Sequence, residues 1–392
     1  MSKRPIKAAF LQVHSIIGLA ISLVLTVIGL TGATMSFEDE IGDWLNAGIM
    51  HVEARPAPPL TPDGLIARLQ AGDAGRVSAL TLSSDPAASV HVRFARSEGG
   101  ARPAAAYVDP YDGHVLGTAR GDGFFATVRQ LHRWLLLPGD AKGWGRQITG
   151  VTAICLMIML ISGLVLRWPR HVRSVKAWLK PNLSMRGRGF QWSLHSVAGT
   201  WVMLIYLVMT TTGLWWSFDW YRDGATWLFS SRTVAATMQP KPAKPVRASV
   251  TDAGPLTLDR AWSAFLERQG SRYATAQVTL PNGAGTVLRI RSVARDVARE
   301  GARDEFRIDA TGRVVSEEIY ADKAFGDKVL ASVLDIHQGA ILGWPGRLLF
   351  MLAASLMPLF MVTGFLLYLS RRKLRPAKRR ATRSVRTLVP GE

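Results

Sequence analysis

The sequence predicts an α-helical membrane protein with four transmembrane helices in a tandem 2+2 repeat and two small α+β external domains. Three observations predict this fold class: four long apolar runs, the location of the basic residues, and motifs that recur in both halves of the chain. The 392 residues include 48 Lys and Arg against 29 Asp and Glu, a formal net charge of +19. Residues 1–10, 167–190 and 371–392 hold 19 basic residues and one acidic residue, almost all of this excess. Basic clusters beside apolar runs are typical of integral membrane proteins, so we expect no nucleic-acid partner.

The apolar runs predict transmembrane helices at residues 11–37, 147–167, 191–217 and 346–370. Each run reaches the ~20 residues that cross a bilayer as a helix. Because Lys and Arg stay on the cytoplasmic side, we expect both termini there. The cytoplasmic segments are then residues 1–10, 168–190 and 371–392, and the external domains are residues 38–146 and 218–345. In a Gram-negative cell this places the protein in the inner membrane with its large domains in the periplasm. The alternative for the first run, a cleaved signal peptide, has a shorter apolar stretch of ~7–15 residues.

The two halves of the sequence share motifs at matched spacing. The first span contains H-S-I-I-G from His14 and then T-G-A-T-M-S-F, while the third contains H-S-V-A-G from His195 and then T-G-L-W-W-S-F. The interval from the His to the final Phe is the same in both spans. L-H-R-W-L-L-L and G-W-G-R precede the second span, and I-H-Q-G-A-I-L and G-W-P-G-R precede the fourth. These spacings predict that one unit, a span followed by an external domain and a second span, occurs twice.

Each external segment has the pattern of a small α+β domain. Helical stretches at residues 61–71 and 257–268 begin at a Thr with an Asp in the first turn. Alternating apolar and polar residues follow, as in S-V-H-V-R-F and T-V-L-R-I-R, which predicts strands. A turn that contains Gly then closes a hairpin in both segments.

Two histidines lie within the predicted spans at the same depth. His14 and His195 are near the cytoplasmic ends of the first and third spans, and imidazole is a common ligand of haem iron. Gly18 and Gly199 follow four residues later on the same helix face, where the missing side chain leaves space for a flat macrocycle. The alternative is that the glycines only allow close helix packing and the histidines hydrogen-bond across helices.

A second pair of histidines precedes the second and fourth spans. We predict that His132 and His337 ligate an outer haem, and the alternative is that they are surface residues of interfacial helices. The interval to the next motif arginine is longer in the first half, where it ends at Arg146, than in the second, where it ends at Arg347. The other four histidines lack matched partners, and His171 is the best spare ligand: His51, His91, His114 and His171.

The motifs L-x-x-H, T-G-x-x-x-S-F-E-D-E and L-H-R-x-L-L-L with G-W-G-R resemble the PepSY-associated transmembrane family over nearly the whole chain. That family includes inner-membrane ferrisiderophore reductases of the ferrioxamine reductase type. The resemblance implies four helices, two periplasmic PepSY domains and two non-covalent b-type haems. It further implies electron transfer from a quinol or a cytoplasmic reductase to a periplasmic ferric siderophore, with release of Fe(II) for iron uptake.

Two other functions stay open at this point. One is a haem-free PepSY membrane protein with a binding or regulatory role, and the other is a haem reductase of a different periplasmic acceptor.

Several classes of protein are excluded by residues and motifs that the sequence lacks. A single Cys excludes a disulfide scaffold and a cysteine-rich metal site. No G-x-G-x-x-G follows a strand, and H-E-x-x-H, G-x-S-x-G and a P-loop do not occur.

Overall fold

The fold is described from a computed structural model. It describes residues 3–72, 75–95, 105–169, 172–230, 257–281, 287–296, 299, 301–309 and 311–386. The chain divides into two compact units. The helical unit consists of Met1–Ser36, Thr127–Arg222 and Ile336–Glu392, and the sheet unit consists of Phe37–Ala126 and Asp223–Asp335.

The helices are numbered along the chain. They are α1 (Lys3–Met35), α2 (Glu38–Asn46), α3 (Pro62–Ala71), α4 (Asp122–Trp134), α5 (Trp144–Arg167), α6 (Val175–Leu179), α7 (Gly187–Ser217), α8 (Asp219–Phe229), α9 (Leu258–Gln269), α10 (Phe325–Ala331), α11 (Val333–Gln338), α12 (Gly343–Ser355) and α13 (Met357–Arg386). Short 3₁₀ turns lie at Asp140–Lys142 and Ala340–Leu342. The strands are β1 (Val77–Ser83), β2 (Val90–Phe94), β3 (Ala106–Val108), β4 (Val115–Thr118), β5 (Tyr273–Thr279), β6 (Val287–Ala294), β7 (Arg303–Asp309) and β8 (Val314–Glu318).

Among the described residues, four helical segments are long and apolar enough to cross a membrane, as the sequence predicts. They are Pro5–Met35, Trp144–Arg167, Gly187–Ser217 and Ala340–Arg372. In the helical unit they form a closed ring in which α1 contacts α5, α5 contacts α7, α7 contacts α13 and α13 contacts α1. The helices that carry His14 and His195, α1 and α7, are therefore diagonal neighbours across the bundle, and α5 and α13 lie between them.

The fourth span is broken into two helices at Leu356, a feature that the apolar pattern does not predict. Pro358 has no N–H to donate to the carbonyl four residues earlier, so the α-helical hydrogen bonding stops before it. The Tyr206 hydroxyl donates to the Ala353 carbonyl over 2.7 Å at this break. The same carbonyl also accepts from the Leu356 N–H at 3.0 Å, so the Tyr206 hydroxyl adds a contact between α7 and the broken span. Gly29 permits the close approach of α1, since a Cβ there would lie 2.7 Å from the Ala354 oxygen.

The sheet unit contains one eight-stranded antiparallel sheet. Its strand order is β4-β3-β2-β1-β5-β6-β7-β8, so each external segment contributes four consecutive strands. The segments join where β1 pairs with β5, from Ala79↔Thr279 to Ser83↔Thr275. The sequence predicts two small domains, and the structure differs because pairing β1 with β5 protects two strand edges that separate domains would expose.

Both predicted external helices pack on this sheet and share its core. Buried residues of α3 and α9, including Leu65, Leu69 and Phe265, belong to one apolar cluster with the strands. The N-termini of α3 and α9 are joined by two reciprocal hydrogen bonds. The Asp259 carboxylate accepts from Asp63 N at 2.9 Å, and the Asp63 carboxylate accepts from Asp259 N at 3.1 Å. Both segments therefore have the predicted α+β character within a common core.

Candidate functional site

The four repeated histidines come together as two pairs within the helical unit. The ring centres of His14 and His195 lie 6.3 Å apart with ring planes at 79°. Those of His132 and His337 lie 6.4 Å apart with ring planes at 73°. These are the partners that the matched motifs predict. We call them the inner pair and the outer pair.

The Nδ1 atom of every paired histidine contacts a Ser or Thr hydroxyl. The distances from Nδ1 to the hydroxyl oxygen are 2.8 Å for His14–Ser162, 3.0 Å for His132–Thr31, 2.7 Å for His195–Thr363 and 2.8 Å for His337–Thr212. Each hydroxyl donates to a carbonyl one turn earlier in its own helix, with distances of 2.6 to 3.2 Å. The hydroxyl oxygen is then the acceptor for the imidazole, so Nδ1 carries the proton.

This arrangement selects one tautomer of each ring. His132 shows it directly, because its Nδ1 is also 3.0 Å from the Ile28 carbonyl oxygen, which can only accept. With Nδ1 protonated, Nε2 keeps its lone pair. Within the described residues no Nε2 of the four histidines has a hydrogen-bond partner. A hydrogen bond at the far nitrogen is the usual way in which proteins orient a metal-ligating histidine.

A glycine follows each hydroxyl and makes room for the same ring. The dipeptides are Thr31-Gly32, Ser162-Gly163, Thr212-Gly213 and Thr363-Gly364. A Cβ on the glycine would lie 3.1 Å from Cε1 of His132, 3.3 Å from that of His14, 3.5 Å from that of His337 and 3.6 Å from that of His195. Gly32 and Gly213 belong to the T-G motifs that recur in the sequence, but the motifs did not predict a role for the four hydroxyls. The recurrence of Ser-Gly or Thr-Gly in the helices around both pairs was the available signal.

A cavity lies between the four spans. Gly18 and Gly199 line this cavity together with His14 and His195. A Cβ on Gly18 would come within 2.9 Å of the Met159 methyl, and one on Gly199 within 3.7 Å of Phe360. Both glycines therefore face the interior of the bundle. Their role beside a macrocycle stays a prediction.

The cavity has a volume of about 210 Å³ and reaches from Arg371 to Met357 along the fourth span. Its lining is mainly Leu, Met and aromatic side chains. Such an apolar space with a few placed polar groups is typical of a cofactor site. Haem b, a flat apolar macrocycle with two carboxylates on one edge, has the complementary chemistry.

The separation of the rings also fits a shared metal. An imidazole centre lies ~1.1 Å from its nitrogen and a metal–nitrogen bond is ~2.0–2.1 Å, so ligands on opposite sides of one metal have centres ~6.2–6.4 Å apart. The observed 6.3 and 6.4 Å agree with this value. The two imidazoles of each pair would therefore fit an iron that is held by two histidines.

The outer pair is half-buried and uncharged. Burial lowers the pKa of His132 to about 4, with a smaller contribution from Arg133 in the same direction. Burial also lowers the pKa of His337 to about 4. Both rings are neutral at physiological pH, the form in which a histidine binds a metal.

Arg146 and Arg347 make similar contacts in spite of their different spacing from the outer histidines. Arg146 donates from Nε to the Trp216 carbonyl at 2.9 Å, and Arg347 donates from Nε to the Ser36 carbonyl at 2.9 Å. Each arginine therefore ties the start of one span to the end of a span from the other half. The 3₁₀ turn Asp140–Lys142 has a counterpart at Ala340–Leu342, so the extra residues of the first half lie before that turn, between His132 and Gly139.

Three of the remaining histidines belong to the sheet unit, whereas the two pairs belong to the helical unit. His51 forms an isolated bridge with Ala88, His91 packs against Tyr107 in the sheet, and His114 is exposed. His171 lies outside the described residues. Among the residues that the structure describes, no group of three or more His, Cys, Asp and Glu is placed to hold a metal ion.

The membrane-length helices and the sheet unit define a polytopic membrane protein with an α+β portion. The model of the family described as PepSY-associated TM region matches residues 11–371, and the chain belongs to this family. No curated protein matches the chain.

Proposed function

We propose that this protein is a di-haem b reductase of the bacterial inner membrane, which passes electrons across the membrane to a ferric siderophore in the periplasm. The observation that carries the proposal is the geometry of the two histidine pairs, whose ring centres are 6.3 and 6.4 Å apart. Membership of the PepSY-associated TM region family supports it, because the ferrisiderophore reductases resembled by the sequence belong to that family.

The proposal includes a tandem duplication and a defined orientation. Each half supplies one histidine to each pair and one hydroxyl for each of its own two histidines. Such equivalent contacts are expected if both halves descend from one unit of two spans. The three basic segments put both termini in the cytoplasm by the positive-inside rule, and residues 38–146 and 218–345 in the periplasm.

The two pairs are staggered along the bundle, which suits transfer across the membrane. His14 precedes Gly32, the glycine that contacts His132, by the same interval at which His195 precedes Gly213, which contacts His337. At ~1.5 Å per residue this interval is a separation of ~27 Å along the helices. The inner pair lies toward the basic ends of the spans and the outer pair toward the opposite ends.

Haem b, when bound, supplies a one-electron carrier at each pair. The chain's own residues provide the axial imidazoles, hold their tautomers through the hydroxyls and exclude water with apolar side chains. His132 and His337 would hold the outer haem, and the acceptor would then receive its electron without binding the iron. The substrate gains one electron per iron, and Fe(II) is then released because hard oxygen donors hold Fe(III) much more strongly. The electron donor is a quinol or a cytoplasmic reductase.

A haem count with a redox titration of the purified protein tests the proposal. We expect two haems per chain, low-spin spectra and reoxidation of the reduced protein by ferrioxamine. A fully folded preparation without haem would refute it and favour a binding or regulatory PepSY protein. Two haems with no reoxidation by ferric siderophores, but rapid reoxidation by free ferric or cupric ions, would instead indicate another acceptor.

A further inference from the structure

Two arginines stand at one end of the cavity that contains the inner pair. Arg167 and Arg371 are in its lining, and within the described lining there is no Asp, Glu or Lys. One end of a largely apolar cavity therefore carries two positive charges. Positive charge at one end of a largely apolar cavity in a membrane favours a ligand that carries negative charge at that end.

Both arginines lie on the helix faces that contact the inner histidines. Arg167 follows Gly163, which contacts His14, by four residues, and Arg371 follows Gly364, which contacts His195, by seven. Spacings of four and seven residues keep a side chain on the same face, ~6 and ~10 Å along the helix. The guanidinium groups are thus one and two turns from the imidazoles, toward the basic ends of the spans.

Each guanidinium is positioned by contacts with a neighbouring segment of the helical unit. Arg371 Nη1 donates to Ser15 Oγ at 3.0 Å, next to His14 in sequence. The Arg167 guanidinium lies over the rings of Trp178 and Trp192, with distances of 5.8 and 5.7 Å, and donates to the Ala177 carbonyl. The Arg167 Nε is buried without a hydrogen-bond partner, and among the described residues Arg167 forms no ion pair.

From this arrangement we infer that Arg167 and Arg371 bind the two propionate carboxylates of the inner haem and so set its orientation, an inference that rests on the proposed function. A guanidinium matches a carboxylate through parallel, charge-assisted hydrogen bonds. Two carboxylates on one edge of a flat apolar molecule match two guanidinium groups at one end of an apolar cavity. The propionate edge then points to the cytoplasmic side.

The test compares Arg167→Gln and Arg371→Gln with a matched control, Arg372→Gln. Arg372 belongs to the same basic segment, but its guanidinium lies over Tyr368 at 5.9 Å and it is not part of the lining. We measure the rate at which haem leaves the purified protein for excess apomyoglobin. Loss of one charge-assisted contact should accelerate release from the inner site about tenfold in each cavity variant. The control should release haem at the wild-type rate. The outer haem, identified by its midpoint potential, should stay bound in every variant, which shows that the bundle is intact.

A modified haem separates carboxylate recognition from a structural effect. Haem-free protein is reconstituted with haem b or with its dimethyl ester, which lacks the two negative charges. Wild-type protein should bind the ester at the inner site at least tenfold more weakly than haem b, and the double variant Arg167→Gln/Arg371→Gln should bind both equally. If wild type and double variant prefer haem b over the ester to the same extent, the inference is overturned. This result is also expected if both arginines bind an anionic lipid instead of haem. Absence of haem from the wild-type protein would refute the proposed function instead.

Discussion

The four glycines beside the histidines predict a graded response to a single methyl group. Gly32 has the shortest approach, with a Cβ 3.1 Å from Cε1 of His132, and Gly364 has the longest, 3.6 Å from Cε1 of His195. The His132 ring cannot easily move away, because its Nδ1 bonds both Thr31 and Ile28 at 3.0 Å. Gly32→Ala should therefore strain the outer pair, whereas Gly364→Ala adds a methyl group at ordinary contact distance.

The two substitutions should change the free energy of unfolding in opposite directions. Overpacking costs ~1–3 kcal/mol, while Ala is favoured over Gly in a helix interior by ~1 kcal/mol. Gly32→Ala should thus be destabilising by ~0–2 kcal/mol in the free energy of unfolding, and Gly364→Ala stabilising by up to ~1 kcal/mol. The outer site should also lose haem in Gly32→Ala, since its imidazole is displaced by a few tenths of an ångström.

The assay combines thermal unfolding of the purified protein with a haem count for each site. Gly32→Ala should melt at a lower temperature than wild type and show reduced occupancy of the outer site only. Gly364→Ala should melt at the wild-type temperature or above it and keep both haems. Equal losses of melting temperature and of haem in the two variants would refute the role of Gly32 in positioning His132. Full haem occupancy of the outer site in Gly32→Ala would refute it as well.

Four other predictions follow from the sequence and the structure. A reporter fused after Glu392 should be active only in the cytoplasm, and periplasmic activity would overturn the orientation. His14→Ala and His195→Ala should each remove one haem and leave the other, whereas two haems in both variants would exclude the inner pair. His132→Ala should remove the outer haem and the reoxidation by ferrioxamine while the inner haem stays reducible. An unchanged rate there would contradict its role. The ring planes at 79° and 73° should produce highly anisotropic low-spin ferric signals in electron paramagnetic resonance, and ordinary rhombic signals from both sites would contradict these angles.

Several features of the fold could be predicted from the sequence because they depend on local pattern. Apolar runs of the length that crosses a bilayer predict the spans, and alternation with Gly turns predicts the external strands. The family match over residues 11–371 confirms the resemblance that the sequence motifs indicate. The pairing of β1 with β5 was not predictable in this way, because it joins strands from opposite halves of the chain with no signal in either strand alone.

For the candidate site too, some features could be predicted from the sequence and others depend on tertiary packing. The sequence by itself determined which histidines are partners, because matched motifs at equal spacing put His14 and His195 at one depth and mark His132 and His337 as equivalents. Only the tertiary structure decided that Ser162 and Thr363 hold the inner rings and that Arg167 and Arg371 share their cavity. Those contacts depend on the order of the helices around the bundle and on the rotation of each about its own axis. A run of apolar residues specifies its length and depth in a membrane, but neighbours across the bundle are chosen by side-chain packing between helices that are distant in sequence.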